Sequence, residues 1–181
     1  MTTQIVKLEN ILQDKISLTE IRTITEEISG NREFLSKLWR SVSSDDRRTG
    51  VNALWVMSHL PDADSEWLVS LRDEMIDMLL KESDVAKKRM LLQILRDQDY
   101  EADNIRSDFL DYCLSKINSE CEPYAVRCFS LYAAFKMCKN FPELIAELEL
   151  HLELLRMQHL SPGLQSALRQ TEKQIRKVKS R

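Results

Sequence analysis

One stretch of the chain, residues 48–60, is apolar on almost every side when it is laid on a helix at about 100° per residue. Its apolar positions are Val51, Ala53, Leu54, Val56, Met57 and Leu60. Its polar strip is narrow and comprises Arg48, Asn52 and His59, with Trp55 at its edge. Because a helix with a single thin polar strip must be covered by neighbours on most sides, this stretch predicts an all-helical protein in which other helices pack before and after it.

The rest of the sequence contains helical patterns that can provide those neighbours. Predicted helices cover residues 3–14, 19–29, 31–42, 45–60, 64–82, 83–98, 102–118, 123–140, 142–158 and 161–181. Thr19 is the expected N-cap of the second helix, and Gly30 ends that helix. Residues 147–153 alternate like a strand, but Pro142 at the start of the segment and leucines at helical spacing favour a helix there.

The composition is that of a globular protein. With 181 residues, of which 43% are hydrophobic and 30% charged, the chain is long enough for one well-buried domain, which we predict over residues 1–181. No run approaches about 18 apolar residues, and the first ten residues lack the apolar centre of a signal peptide, so we expect a cytoplasmic location without membrane association. The four cysteines form no Cys-x-x-Cys pair and are expected to be free thiols.

The helices also repeat along the chain. Aligning Asn52 with Arg89 and Arg127 gives spacings of 37 and 38 residues, and a match near Ala167 gives 40. Helix pairs at this period resemble HEAT/armadillo repeats, whereas the tetratricopeptide period is shorter. The phrase from Ala53 to Leu60 also resembles a group of short, uncharacterised bacterial HEAT-like proteins.

This resemblance implies a specific architecture. The expected fold is all-α, a right-handed α-α superhelix (a HEAT/armadillo-like solenoid) of about five antiparallel helix pairs. The predicted repeats are 31–60, 64–98, 102–140 and 142–178, with 3–29 as a divergent N-terminal pair. In such solenoids the second helix of each pair lines the concave surface, which holds partners.

Charge is divided between the two sets of helices, although the whole chain carries only −3. The first helices (31–44, 64–83, 101–121 and 141–160) sum to −8, and the second helices (45–60, 84–97, 122–140 and 161–181) sum to +9. Three interpretations stay open: solvated faces whose signs fell this way, attraction between neighbouring repeats, and a basic concave surface suited to an acidic partner.

The aligned positions identify the residues of that surface. The predicted partner-binding residues are Arg48, Asn52, Trp55, His59, Arg89, Gln93, Arg96 and Arg127. The favoured function is a non-catalytic scaffold that binds an acidic protein or peptide segment on this basic face. The alternative is a nucleic-acid-binding protein related in fold to the HEAT-like alkylpurine DNA glycosylases, with Trp55 as a stacking residue. Pairing of the chain with itself is a third possibility.

No pattern predicts catalysis, a metal or a cofactor. Ser58 and His59 have no carboxylate at helical spacing to orient the histidine, which a hydrolytic dyad requires. His151 and His159 lack the third and fourth convergent donors of a zinc site, so we interpret them as part of a solvated face.

Overall fold

The computed structural model describes residues 2–101, 103 and 105–180, with side chains from residue 8 onward. Regular structure in these residues is helical throughout, which confirms the all-α prediction. Packing divides the chain into two compact units. Unit 1 comprises Met1–Met75 and Glu82–Ile94, and unit 2 comprises Ile76–Lys81 and Leu95–Arg181.

Eleven α-helices lie within the described residues. They are α1 (Thr2–Gln13), α2 (Leu18–Ile28), α3 (Arg32–Val42), α4 (Arg47–Met57), α5 (Ser65–Ser70), α6 (Arg72–Lys81), α7 (Val85–Asp97), α8 (Ser107–Ile117), α9 (Tyr124–Cys138), α10 (Pro142–Arg156) and α11 (Pro162–Lys179). A 3₁₀ turn, Asp62–Asp64, precedes α5. The segment with strand-like alternation lies inside α10, so the choice of helix over strand is confirmed.

Helix α4 is the centre of unit 1 and contacts α1, α2 and α3. Its apolar residues Ala53, Leu54, Val56 and Met57 are fully buried. Gly50 permits a close approach at its first turn, since a Cβ atom there would lie 2.8 Å from the carbonyl oxygen of Val42 in α3. The neighbouring helices that the sequence predicts around α4 are therefore present.

Helix α9 has the same place in unit 2, where it contacts α8, α10 and α11. Along its whole length it buries apolar and small residues, which include Val126, Ser130, Leu131, Ala133, Ala134, Met137 and Cys138. Small side chains on such a helix allow its neighbours to come close from several directions. Each unit is thus organised around one largely buried helix.

Local hydrogen bonds set the helix ends. Ser17, and not Thr19, caps α2, because its hydroxyl accepts from the N–H of Glu20 while that glutamate accepts from the Ser17 N–H. The prediction of Thr19 as the cap is therefore wrong. Gly30 follows α2 at φ 72°, a left-handed conformation that favours glycine. Its N–H donates to buried Asp64, 2.9 Å away, which also accepts from the Ser29 hydroxyl.

The predicted single helix over 64–82 is interrupted. At Leu71 the backbone has φ −96° and ψ 3°, and its N–H bonds to the carbonyl of Leu68, three residues back, which closes α5. Helix α6 begins at the next residue. Likewise α8 begins at Ser107 and not at 102. The predicted repeat boundaries and the single domain stay predictions.

Candidate functional site

Arg48, Asn52 and Trp55 of the predicted strip lie on α4 at helical spacing, and His59 follows in the turn after the end of this helix. Arg48 is exposed, and Trp55 and His59 are half-buried. The Trp55 and His59 rings meet edge to face, with centroids 6.3 Å apart. His59 Nδ1 lies 3.0 Å from the Trp55 carbonyl oxygen, which fixes the imidazole against the end of the helix.

Asn52, in the middle of that strip, does not line an open surface. It is only 7% exposed, and its amide nitrogen donates to the carbonyls of Leu12 (2.8 Å) and Asp14 (2.9 Å) at the end of α1. A buried amide that satisfies two helix-terminal carbonyls has a structural role. The prediction that Asn52 contacts a partner is therefore corrected.

Arg89 and Gln93 lie on one face of α7, with Arg89 exposed and Gln93 half-buried. The first turn of this helix is fastened within unit 1. Asp84 pairs with Arg47 at 2.5 Å, and Lys87 Nζ donates to the Val42 carbonyl at 3.1 Å. Desolvation opposes ionisation of Asp84, but the Lys87 N–H and the Arg47 side chain outweigh it and hold the pKa of Asp84 below its usual value.

Arg96 belongs to unit 2 and is half-buried. Its guanidinium carbon lies 4.2 Å from the centroid of the Phe129 ring and 5.6 Å from that of Tyr132. Its Nε also lies 3.4 Å from Asp97. Stacking on two aromatic rings is worth roughly 1 kcal/mol, so part of the role of Arg96 is to hold the last residues of α7, which belong to unit 2, onto α9.

Arg127 is buried, with 2% exposure. Its Nε donates to the carbonyl oxygen of Ile117 at 2.9 Å, and its Nη2 donates to the side-chain oxygen of Gln158. The guanidinium thus links the end of α8 to the segment after α10. A side chain enclosed in this way cannot line an accessible groove, and its assignment to the partner-binding face is wrong.

An exposed basic surface lies on α11, outside the predicted partner-binding set. Arg169, Lys173, Arg176 and Lys177 recur at i, i+4, i+7 and i+8 and are all exposed, and we call them the basic stripe. Among the described residues, no side chain pairs with any of the four. The repeat alignment reaches Arg169, Lys173 and Lys177 as the positions where charge returns to the strip, but the predicted partner-binding set does not include them.

An open cavity of about 370 Å³ adjoins the N-terminal end of the basic stripe. It is lined by Arg156, Gln158, His159, Leu160, Gln165, Leu168 and Arg169. Arg156 is paired with Glu172 at 2.6 Å, whereas the Arg169 side chain is unpaired within the part of the chain that the structure describes. The cavity therefore combines an available guanidinium with apolar walls and amide groups, a combination that can hold a carboxylate.

The described residues contain no cluster of three or more His, Cys, Asp or Glu side chains suited to a metal ion. Among the same residues, no helix is both long and apolar enough to cross a membrane.

Ser58 Oγ lies 3.1 Å from His59 Nδ1 and 2.8 Å from the Trp55 carbonyl oxygen, to which it donates. This geometry closes the end of α4.

Comparison with known proteins agrees with the helix pairs. The model of the HEAT repeat domain family matches residues 8–175. Comparisons with curated proteins and with solved structures give no match. The family match spans most of the sequence and covers helices of both units, so the fold class is the α-solenoid that the repeat period predicts. The chain belongs to the HEAT repeat domain family.

Proposed function

We propose that this protein is a non-catalytic scaffold that binds an acidic segment of a partner protein on basic surfaces of its second helices. HEAT repeats commonly mediate protein–protein interactions and are typically non-catalytic. The observation that carries the finer proposal is the basic stripe on α11, where four exposed cations on one face have no side-chain partner among the described residues. Unpaired cations on one face attract an anionic partner before contact and fix its register afterwards.

The cavity beside the stripe supports a peptide over a diffuse anion. Leu160 and Leu168 give it apolar walls, while Gln165 and Arg169 line the same space. An acidic segment can place one side chain in this cavity and carry its other carboxylates along Lys173 and Lys177. The second proposed contact set lies in unit 1 and comprises Arg48, Trp55, His59, Arg89 and Gln93. In unit 2, Arg96 is a further proposed contact of the partner.

The test is fluorescence anisotropy with a labelled polyglutamate peptide, compared with single- and double-stranded oligonucleotides, from low salt to about 150 mM. We expect the peptide to bind and the variant Arg169→Glu with Lys173→Glu to weaken binding at least about tenfold. Arg48→Glu with Arg89→Glu measures the contribution of unit 1. The matched control is Arg32→Glu with Arg40→Glu, which makes the same charge change on exposed residues of α3, a first helix.

Two outcomes would contradict the proposal. If the α3 control weakens binding as much as the α11 variant does, net charge and not a defined surface governs the interaction. If oligonucleotides bind more tightly than the peptide at about 150 mM salt, with a steep salt dependence, the nucleic-acid function replaces the scaffold.

A further inference from the structure

Helix α10 has apolar residues on two opposite faces. Its inner face buries Ile145, Leu148, Leu152 and Leu155. Its opposite face carries Leu150, Leu154 and Met157 at i, i+4 and i+7, and we call these three the outer stripe. Their exposures are 62%, 54% and 84%. Single exposed apolar residues are ordinary, but three in one row on a helix form a patch of the kind that marks an interaction site.

The two sides of α10 are already occupied, so the outer stripe is the face that points away from the packed helices of unit 2. On one side, the Asn118 amide donates to the carbonyl oxygen of His151 at 3.1 Å. On the other side, Glu149 pairs with Lys179 at 2.5 Å and Arg156 pairs with Glu172. These contacts fix the orientation of α10 about its own axis.

Carboxylates border the outer stripe. Viewed down the helix axis at about 100° per residue, Glu147 and Glu153 lie about 60° to either side of Leu150. Glu143 lies on the same side of the helix as Leu150, nearer the start of α10. All three glutamates are exposed, and none has a side-chain partner among the described residues. The surface is therefore an apolar row between two acidic margins.

We propose that the outer stripe docks an amphipathic helix of a partner protein whose apolar row is bordered by lysine or arginine. Leucines of that helix would pack against Leu150, Leu154 and Met157, and its cations would meet Glu147 and Glu153. This site requires a segment of opposite charge to the one proposed for the basic stripe, so the two surfaces bind different segments.

A second copy of the chain fits this surface poorly. Pairing of α10 with α10 would bring glutamate margins together, which costs energy because like charges repel. Helix α11 is basic enough, but its apolar residues Leu164, Leu168 and Ile175 are buried against its own unit. Charge complementarity therefore selects a basic amphipathic helix from another protein.

The experiment uses the full chain and a labelled model helix of leucine and lysine, in which the leucines are spaced alternately three and four residues apart so that they form one apolar row. Binding is followed by fluorescence anisotropy, with the same peptide carrying glutamate in place of lysine as the charge control. We expect the lysine peptide to bind and the glutamate peptide not to bind. The variant Leu150→Ser with Leu154→Ser should lose at least about tenfold in affinity, with only a small decrease in Tm because both side chains are more than half exposed.

Three further variants separate binding at the outer stripe from nonspecific hydrophobic binding, test the acidic margins of the stripe, and test whether the basic stripe contributes. Leu18→Ser with Val69→Ser removes two other exposed apolar side chains, each 43% exposed, and should leave binding unchanged. Glu147→Gln with Glu153→Gln should weaken binding and reduce its salt dependence. Arg169→Glu with Lys173→Glu, which disables the basic stripe, should not weaken it.

Three results would overturn the proposal. One is equal affinity of the wild type and the Leu150→Ser, Leu154→Ser variant for the lysine peptide. Another is equal binding of the lysine and glutamate peptides to the wild type. The last is a dimer in analytical ultracentrifugation that the same leucine variant dissociates, because the occupant of the stripe would then be a second copy.

Discussion

The approach of α3 and α4 at Gly50 gives the sharpest stability prediction. In Gly50→Ala, the new Cβ would lie 2.8 Å from the carbonyl oxygen of Val42 and 2.9 Å from the end of the Lys87 side chain. The lysine end is flexible and can move away, but the carbonyl is backbone at the end of α3 and cannot. We therefore expect the substitution to force the two helices apart.

The magnitude follows from opposing contributions. Alanine is better than glycine inside a helix by about 1 kcal/mol. Against this, overpacking a close contact costs roughly 1–3 kcal/mol, and displacing Lys87 breaks its 3.1 Å hydrogen bond to Val42, worth about 1 kcal/mol in this half-buried setting. The net expectation is a loss of about 2 kcal/mol in the free energy of unfolding. For a chain of this length, such a loss lowers Tm by about 4–8 °C.

The assay is thermal and urea unfolding followed by circular dichroism. Gly163→Ala is the matched control, because a Cβ there has nothing within 4 Å, and it should stabilise by about 0.5 kcal/mol. Repeating Gly50→Ala in a Lys87→Ala background separates the two contacts, since only the clash with Val42 persists there. If Gly50→Ala were as stable as the wild type while the control behaved as expected, the close approach would be refuted.

Three other predictions concern buried groups. Arg127→Ala should lower the free energy of unfolding by roughly 2–3 kcal/mol, because it opens a cavity and leaves a buried carbonyl without its donor. The affinity for polyglutamate should not change. A loss of affinity at unchanged stability would restore Arg127 to the binding face. Asp64→Ala should cost about 1–3 kcal/mol in a urea titration, since two hydrogen bonds that close the turn at Gly30 disappear. Cys121 is exposed, whereas burial raises the pKa of the Cys138 thiol to about 12. Iodoacetamide at mildly alkaline pH should therefore label Cys121 but not Cys138 until the protein unfolds, as detected by mass spectrometry. Rapid labelling of Cys138 in the folded protein would contradict its burial.

The fold was predictable because periodicity is a local property of the sequence. The apolar pattern of residues 48–60 required neighbours on most sides, and α4 has three. Helix α10 was correctly chosen over a strand from Pro142 and its leucine spacing. The errors lie where local hydrogen bonds decide a helix end, as at Ser17 and Leu71, since neighbouring residues of similar propensity compete for these positions.

The site was harder to predict because a polar residue on an apolar helix has two possible explanations. The repeat alignment places Asn52 and Arg127 at the surface, yet both satisfy backbone carbonyls, and those of Asn52 lie about forty residues away in the sequence. Sequence spacing cannot reveal such distant partners. The basic stripe was the opposite case, because its four cations sit on a helix whose face pattern alone identifies them as exposed.

The enclosure of α4 and α9 has a consequence for hydrogen exchange. An amide in a helix covered by three others exchanges only when its surroundings open, so the slowest amides of each unit should lie in α4 and in α9. Protection factors in the two helices then give one opening free energy for each unit. Equal values with the same urea dependence would indicate a single cooperative transition, and unequal values would show which half of the chain loses its structure first.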